Sequence, residues 1–354
     1  MATKKIQIAT DSGYIVEASA PVIVSASRST DIPAFYADWF FHRLDKGYSI
    51  WTNPFNGVPS YISYRGTRFI VFWSKNPRPL LPYLDKLAKM GIGCYIQYTL
   101  NDYEAENLEK GVPPLAQRID TFKALVDKLG IGRVVWRFDP LILTDTISIG
   151  VLLDKIVKIG DRLKGYTEKL VFSFVDIGNY KKVKQNLSRS GIKYRVWDDL
   201  SMLDFVKRLA VLNKERGWNF ELATCGEKID LSQFGVAHNR CVDDRLIIHC
   251  AWQDAILMDH LNVEIHHAQP SLFGGTVVPE DAIPLPDGNY AVKKKDNRDK
   301  GQRQFCGCIV SKDIGQYNTC PHLCEYCYAN SSKDTAVANW RSHKQDPFGE
   351  KILG

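Results

Sequence analysis

Short, nearly continuous apolar runs recur along the chain, and each one ends in polar residues. Runs of this length and composition are typical of strands that are buried on both faces of a sheet. Between them, 33–46, 115–129 and 202–216 carry apolar residues at helical spacing. The pattern predicts seven strands, with 308–311 as a candidate eighth: 21–27, 48–53, 69–75, 94–99, 133–139, 170–176 and 220–225.

The alternation of buried strands with helices predicts βα units and a parallel sheet. Eight units suit a closed or nearly closed (β/α) barrel of the TIM type, and an open, doubly wound sheet is the alternative. We expect four regions along the chain. They are a barrel core (1–268), an irregular basic linker (269–303), a cysteine-rich segment that completes the barrel (304–332) and a weakly ordered tail with one candidate short helix (333–354).

Composition adds little to this prediction. The chain has 354 residues, of which 45% are hydrophobic and 24% charged, as in ordinary globular proteins. Its net charge of +6, from 46 basic and 40 acidic residues, is modest and does not indicate a dedicated nucleic-acid binder. No apolar run approaches the roughly 18 residues of a membrane span, and the first residues do not resemble a signal peptide. We therefore expect a cytoplasmic protein without a membrane partner.

Three cysteines form a C-x3-C-x2-C motif, with an aromatic residue directly before the last one: Cys320, Cys324, Tyr326 and Cys327. Three thiolates can hold three irons of a [4Fe–4S] cluster and leave the fourth iron without a protein ligand. Zinc is the alternative, with His322 or a further cysteine as the fourth ligand, but zinc ribbons usually repeat C-x2-C. A disulfide is disfavoured, since thiols stay reduced in the cytosol.

A second set of cysteines could form another site. Cys306 and Cys308 lie just before the motif, while Cys225 ends a predicted strand and Cys241 follows it. Four thiols suffice for a second, fully ligated cluster or for an auxiliary zinc ion, and Gly307 would let the backbone bend between two of them. The alternative is that Cys225 and Cys241 are simply small buried hydrophobic residues.

Polar residues at the strand ends are the candidates for catalysis, because barrel chemistry takes place at the carboxyl ends of the strands. We predict catalytic roles for Lys75, Arg137 and Asp139. Arg137 and Asp139 share one face of a strand. Arg137 could bind a carboxylate or phosphate through two hydrogen bonds, and Asp139 could bind a ribose hydroxyl. The alternatives are an internal Arg137–Asp139 ion pair and a solvated Lys75.

Cofactor binding is predicted for a second group of strand-end residues. Arg28 and Asp31 follow the first predicted strand, and Asn53 ends the second. For Arg28 and Asp31 the alternative is a surface arginine beside an aspartate that caps the next helix.

Several blocks of the chain resemble the DUF1848 family, a domain of unknown function. The N-terminal blocks are 25–33, 53–56, 72–77 and 136–140, and the C-terminal ones are 299–303, 306–308, 311–315 and 320–330. The resemblance covers about residues 20–330 and implies no substrate. It implies that seven cysteines belong to one set: Cys225, Cys241, Cys306, Cys308, Cys320, Cys324 and Cys327.

The cysteine loop also resembles that of radical S-adenosylmethionine (SAM) enzymes, in particular those of the spore photoproduct lyase type. This likeness implies that the open iron chelates SAM, that one electron splits SAM to a 5′-deoxyadenosyl radical, and that Tyr326 packs beside the adenine. In such enzymes the loop usually follows the first barrel strand, whereas here it follows the last predicted one. A circular permutation, with 308–311 as the first strand, would explain the difference.

Our hypothesis from the sequence is a radical SAM enzyme that acts on a small molecule or a nucleic acid. It would receive electrons from a donor such as flavodoxin or ferredoxin. One alternative is a barrel enzyme of other chemistry with structural Fe–S or zinc sites. The other is a nucleic-acid-binding or repair protein that uses the basic residues of 293–303.

Overall fold

A computed structural model describes residues 4–54, 56–178, 181–267, 269–270 and 276–353. The first strands are β1 (Lys4–Ala9), β2 (Ile15–Ala20), β3 (Ile23–Ala26), β4 (Tyr48–Thr52), β5 (Pro59–Ser63), β6 (Phe69–Ser74), β7 (Gly93–Thr99), β8 (Val134–Leu141), β9 (Leu143–Thr144) and β10 (Lys169–Phe174). The others are β11 (Tyr194–Arg195), β12 (Glu221–Thr224), β13 (Val236–His238), β14 (Val263–His266), β15 (Gln269–Pro270), β16 (Thr276–Val277), β17 (Ile283–Pro284), β18 (Tyr290–Lys293) and β19 (Lys312–Asp313).

The helices are α1 (Ile32–Phe35), α2 (Ala37–Lys46), α3 (Leu84–Lys89), α4 (Leu115–Leu129), α5 (Ile149–Leu163), α6 (Lys181–Arg189), α7 (Asp199–Glu215), α8 (Asp244–Ala251), α9 (Ala255–His260) and α10 (Lys333–Gln345). Two short 3₁₀ helices span Arg78–Tyr83 and Ser232–Phe234. None of these helices has both the length and the apolar character needed to cross a membrane.

The main sheet has eight strands in the order β13-β12-β10-β8-β7-β6-β3-β19, and every neighbouring pair is parallel. Its central strands are almost wholly buried, as their continuous apolar runs predicted. Six of the seven predicted strands lie in this sheet. Because the strands are parallel, their carboxyl ends meet at one edge, where the polar strand-end residues gather.

The closed or nearly closed barrel that the sequence suggested is wrong. In the described part of the chain the sheet is open, because its edge strands β13 and β19 do not pair with each other. The candidate strand 308–311 does not join the sheet either. Ile309 instead forms an isolated antiparallel bridge with Arg298, and its amide donates to the carbonyl of Val242 at 3.0 Å. The permuted-barrel explanation, which made 308–311 the first strand, therefore loses its basis.

The predicted strand 48–53 forms, but in another sheet. It is β4, the edge of a four-stranded mixed sheet in the order β1-β2-β5-β4. Asn53 then begins the turn into β5, where its amide donates to the carbonyl of Val58 at 3.0 Å. Asn53 is thus not at the carboxyl edge of the main sheet.

The C-terminal part of the chain is more regular than the sequence suggested. Within 269–303, β17 and β18 pair with each other, and β18 also pairs with β14. After Ser332, which caps it, α10 packs Trp340 against the rings of Tyr36 and Phe35, with centroids 5.2 and 5.6 Å apart. His343 is buried beside Tyr36 as well. The segment predicted as a weakly ordered tail thus carries a packed helix.

Candidate functional site

A cavity of about 880 Å³ opens at the carboxyl edge of the main sheet. This volume lies within the range of roughly 300–1,000 Å³ that is usual for ligand sites. All seven cysteines of the predicted set line it. So do six of the seven other predicted site residues, namely Arg28, Asp31, Lys75, Arg137, Asp139 and Tyr326. Asn53 is not among the lining residues.

The C-x3-C-x2-C loop is held by backbone contacts with the loop that precedes α4. Glu109 and Cys324 form an antiparallel bridge, and the amide of Gly111 donates to the carbonyl of His322 at 2.8 Å. The two loops are so close that a Cβ at Gly111 would lie 2.4 Å from the carbonyl oxygen of Pro321. Only glycine fits at this position.

Side chains fix the other side of the same loop. Asn186 of α6 donates to the carbonyl of Cys327 at 2.8 Å. The buried carboxylate of Glu325 accepts hydrogen bonds from Ser190, just after α6, and from Lys333 of α10. The cysteine loop is therefore clamped between two helices and the loop before α4.

Both ring nitrogens of His322 are engaged with protein oxygens. The Nε2 atom lies 2.8 Å from Oδ2 of Asp31, and the Nδ1 atom lies 3.1 Å from the carbonyl oxygen of Gly111. A metal at either nitrogen would have to displace one of these contacts. This geometry disfavours the zinc alternative in which His322 was the fourth ligand.

The three cysteines of the motif lie in the cavity wall, where Cys324 is buried and Cys320 and Cys327 are half-buried. Burial raises the pKa of Cys320 and Cys327, and it raises that of Cys324 well above its ordinary value despite the nearby charge of Lys75. Such thiols are unreactive by themselves, because desolvation disfavours the thiolate. A metal that replaces the protons supplies the missing positive charge.

The second set of cysteines also comes together. The sulfurs of Cys225 and Cys241 are 3.3 Å apart, and the Cys241 amide donates to the sulfur of Cys308 at 3.2 Å. Asn239 and Arg137 donate to the Cys241 sulfur at 3.1 and 3.2 Å. Hydrogen bonds from Cys225 and Cys308 and the charge of Arg137 lower the pKa of Cys241 well below its usual value. These contacts suit a stabilised thiolate.

Close sulfurs do not by themselves make a metal site. Among the described residues, no group of three or more His, Cys, Asp or Glu side chains is placed so that it could hold a metal ion. The chemistry of the side chains is nevertheless that of metal ligands, because two sets of thiols surround one cavity. Backbone and side-chain amides and the Arg137 guanidinium donate hydrogen bonds to the sulfurs of the second set. Thiolates of this kind bind iron–sulfur clusters or zinc.

Lys75 belongs to a buried polar network under the cysteine loop. Its ammonium donates to Oε1 of Glu109 at 2.7 Å and to the hydroxyl of Tyr326 at 2.9 Å. Tyr326 in turn donates to Glu109, and Arg118 lies 3.8 Å from the same carboxylate. Burial alone would raise the pKa of Glu109, but the charges of Lys75 and Arg118 outweigh it and lower the pKa to about 2.

Sequence reasoning missed Glu109 and its neighbour in this network, Asn101. The amide of Asn101 donates to Glu109 at 3.0 Å and to Tyr326 at 3.1 Å. Both residues lie between β7 and α4, outside any strand or helix, so no periodic pattern marked them. The only available signal was the polar, acid-rich character of 101–110.

Arg137 and Asp139 form the internal ion pair that was the alternative to their catalytic roles. The guanidinium also donates to Gln97 on the neighbouring β7 at 3.2 Å, while Ser173 on β10 donates to Asp139. The side chain of Arg137 is only 3% exposed, whereas that of Asp139 is 25% exposed. Asp139 is therefore the member of the pair that can meet a ligand in the cavity.

Asp31 acts as the helix cap that was its alternative role. It accepts from the amide of Ala34 at 3.0 Å, from the hydroxyl of Ser74 and from the amide of Lys75, each at 2.7 Å, and from His322. With four donors its carboxylate is fully used. It ties α1, the end of β6 and the cysteine loop together.

Arg28 is not a surface arginine. Its guanidinium lies 5.2 Å from the centre of the Trp73 ring. Burial alone would lower the pKa of Arg28, but the nearby thiols of Cys308 and Cys241 raise it above its usual value. Arg28 thus faces the second cysteine set, together with Arg137.

The described chain is thus an α/β protein with an open, eight-stranded parallel sheet and a cysteine-lined cavity at the carboxyl edge of its strands. A family model described as a domain of unknown function, DUF1848, matches residues 23–329, and the chain belongs to this family. No curated protein and no solved structure matches the chain.

Proposed function

We propose that this protein is an iron–sulfur enzyme of the radical SAM type. Cys320, Cys324 and Cys327 would hold a [4Fe–4S] cluster with one open iron. The observation that carries the proposal is the ligand count of the loop. Three thiols of one motif line the cavity, and both nitrogens of the histidine between them are bound elsewhere.

The place of the loop also supports the proposal. β19 pairs in parallel with β3 and leads, after a short connection, into the cysteine motif. The motif thus follows a parallel strand at the carboxyl edge, as in the radical SAM enzymes that it resembles. When bound, the cluster would supply the electron that cleaves SAM to a 5′-deoxyadenosyl radical.

The residues around the loop have distinct tasks in this proposal. The hydrogen bonds among Lys75, Glu109 and Tyr326 hold the cysteine loop in place. Asp139, partly exposed in the cavity, can accept hydrogen bonds from ribose hydroxyls. Apolar side chains such as those of Trp197 and Phe174 line the same cavity and make part of its wall apolar.

The second cysteine set would hold an auxiliary Fe–S cluster or a zinc ion. Arg28 and Arg137 provide positive charge beside these sulfurs, which offsets the negative charge of the thiolates. We propose a cytoplasmic location, where cysteines that bind metal stay reduced.

A non-radical enzyme that uses Lys75 and Arg137 directly is less well supported. Both cations are committed to carboxylates, Lys75 to Glu109 and Arg137 to Asp139. Neither side chain is therefore available to a substrate unless its partner is displaced.

Release of 5′-deoxyadenosine tests the proposal. We expect the reconstituted, dithionite-reduced protein to convert SAM into 5′-deoxyadenosine and methionine under anaerobic conditions, because an open iron at the cavity wall would bind SAM and pass it an electron. Mass spectrometry of the products measures this. The matched control is Cys327→Ala, which should release none. Equal release from both proteins would refute the assignment of the motif.

A further inference from the structure

The net positive charge of the chain is concentrated in one short segment. Residues 181–195, which span α6 and β11, contain six basic side chains and no acidic one. Without them the 46 basic residues fall to 40, which equals the 40 acidic residues of the chain. The basic residues are Lys181, Lys182, Lys184, Arg189, Lys193 and Arg195.

These cations are exposed and unneutralised. All six side chains lie on the surface, and no ion pair within the described ranges involves any of them. Lys181, Lys184 and Arg189 line a shallow depression on the outer face of α6. The charge run of 293–303 differs, because Lys293 is paired with Asp244 and Lys294 with Glu264. The segment 293–303 also contains two acidic residues, Asp296 and Asp299, whereas 181–195 contains none, so α6 and β11 carry the more one-sided basic surface.

The inner face of α6 rests on the cysteine loop. Val183 lines the cavity, and Asn186 donates to the carbonyl of Cys327 at 2.8 Å. Ser190, just beyond the helix, donates to Glu325. A single helix therefore separates the exposed basic face from the C-x3-C-x2-C motif.

We propose that the outer face of α6 is the docking surface for an acidic one-electron donor protein of the flavodoxin or ferredoxin type. This inference rests on the proposed function. The reduced donor loses one electron and the cluster gains it, so no atom is transferred. Transfer of an electron requires a close approach, and complementary charge would steer the acidic donor to the surface beside the motif. A nucleic acid fits less well, because α6 has no aromatic side chain on which a base could stack.

A pair of charge reversals tests the docking surface. In Lys181→Glu/Lys184→Glu both changes lie on the exposed face, and an acidic residue at the first turn favours the helix. The matched control is Lys89→Glu/Lys214→Glu, at exposed positions near the ends of α3 and α7, before the amino ends of β7 and β12. A strongly acidic flavodoxin is the probe, and both its equilibrium binding and the rate at which it reduces the cluster are measured.

We expect the α6 variant to bind flavodoxin on the order of tenfold more weakly at low salt and the control to bind normally. The difference should shrink at high salt, where exposed charges are screened. Reduction by flavodoxin should slow in the α6 variant, while reduction by dithionite should not. If the α6 variant bound flavodoxin as tightly as the unsubstituted protein, the inference would be overturned. Binding of an oligonucleotide to α6, without any binding of flavodoxin, would also overturn it. Failure to assemble any cluster would refute the proposed function instead, since flavodoxin binding needs no cluster to be measured.

Discussion

Cys324→Ala should lose about four irons per chain after anaerobic reconstitution with iron and sulfide, because a [4Fe–4S] cluster needs at least three of the thiolates in this loop. After the substitution only two thiolates of the loop remain, those of Cys320 and Cys327. His322 is poorly placed to replace the missing ligand, since its ring nitrogens already contact Asp31 and the Gly111 carbonyl. Iron and sulfide analysis gives the count.

Cys94→Ala is the matched control for this experiment. Cys94 is buried near the amino end of β7, away from the cavity, and should keep its full complement of iron. If Cys324→Ala retained all of the iron, the motif would not be the cluster site. If both proteins held zinc and no iron, the thiols would form a zinc site.

Glu109→Ala should lower the free energy of unfolding of the metal-free protein by roughly 3–5 kcal/mol. The change leaves the positive charges of Lys75 and Arg118 in the interior without their carboxylate. The Lys75 and Arg118 side chains are only 16% and 1% exposed, so water cannot replace the lost partner. Tyr326 and Asn101 lose an acceptor as well. Urea unfolding followed by tryptophan fluorescence measures the effect.

Asp85→Ala provides the comparison, since it removes the partner of Lys128 in an exposed pair with a 2.8 Å contact. We expect a loss below about 1 kcal/mol there, because water solvates both charges. If both substitutions had similar small effects, the network under the cysteine loop would not contribute to stability as its burial suggests.

The sequence revealed the central strands and several helices because burial leaves a local trace. Strands covered on both faces, such as β6, are continuous apolar runs. The helix predicted over 115–129 has the same limits as α4, where apolar residues recur at helical spacing.

Closure of the sheet could not be predicted in this way. It depends on whether the edge strands meet, and these have only three and two residues, Val236–His238 and Lys312–Asp313. Such short segments carry no recognisable pattern. The sequence of a strand also does not show which sheet the strand joins. For this reason 48–53, which forms β4, was assigned to the main sheet instead of the four-stranded one.

The candidate site was predicted unevenly for a similar reason. Thiols at short spacing are recognisable in the sequence, so Cys306, Cys308 and the C-x3-C-x2-C motif were found in this way, whereas the family resemblance supported Cys225 and Cys241. Glu109 and Asn186 were not, because each meets the cysteine loop over a separation of more than a hundred residues. Asp31 could be interpreted both as a cap and as a ligand, and only its four hydrogen-bond donors decide between these roles.

The most direct test of a SAM-binding cluster is the electron paramagnetic resonance spectrum of the reduced, reconstituted protein, recorded with and without SAM. We expect a reduced-cluster signal that SAM perturbs, because the iron without a cysteine ligand is free to bind it. An iron count of about eight would add that both cysteine sets hold clusters. A signal that SAM leaves unchanged, or zinc in place of iron, would contradict the assignment of Cys320, Cys324 and Cys327 as the ligands of a radical SAM cluster.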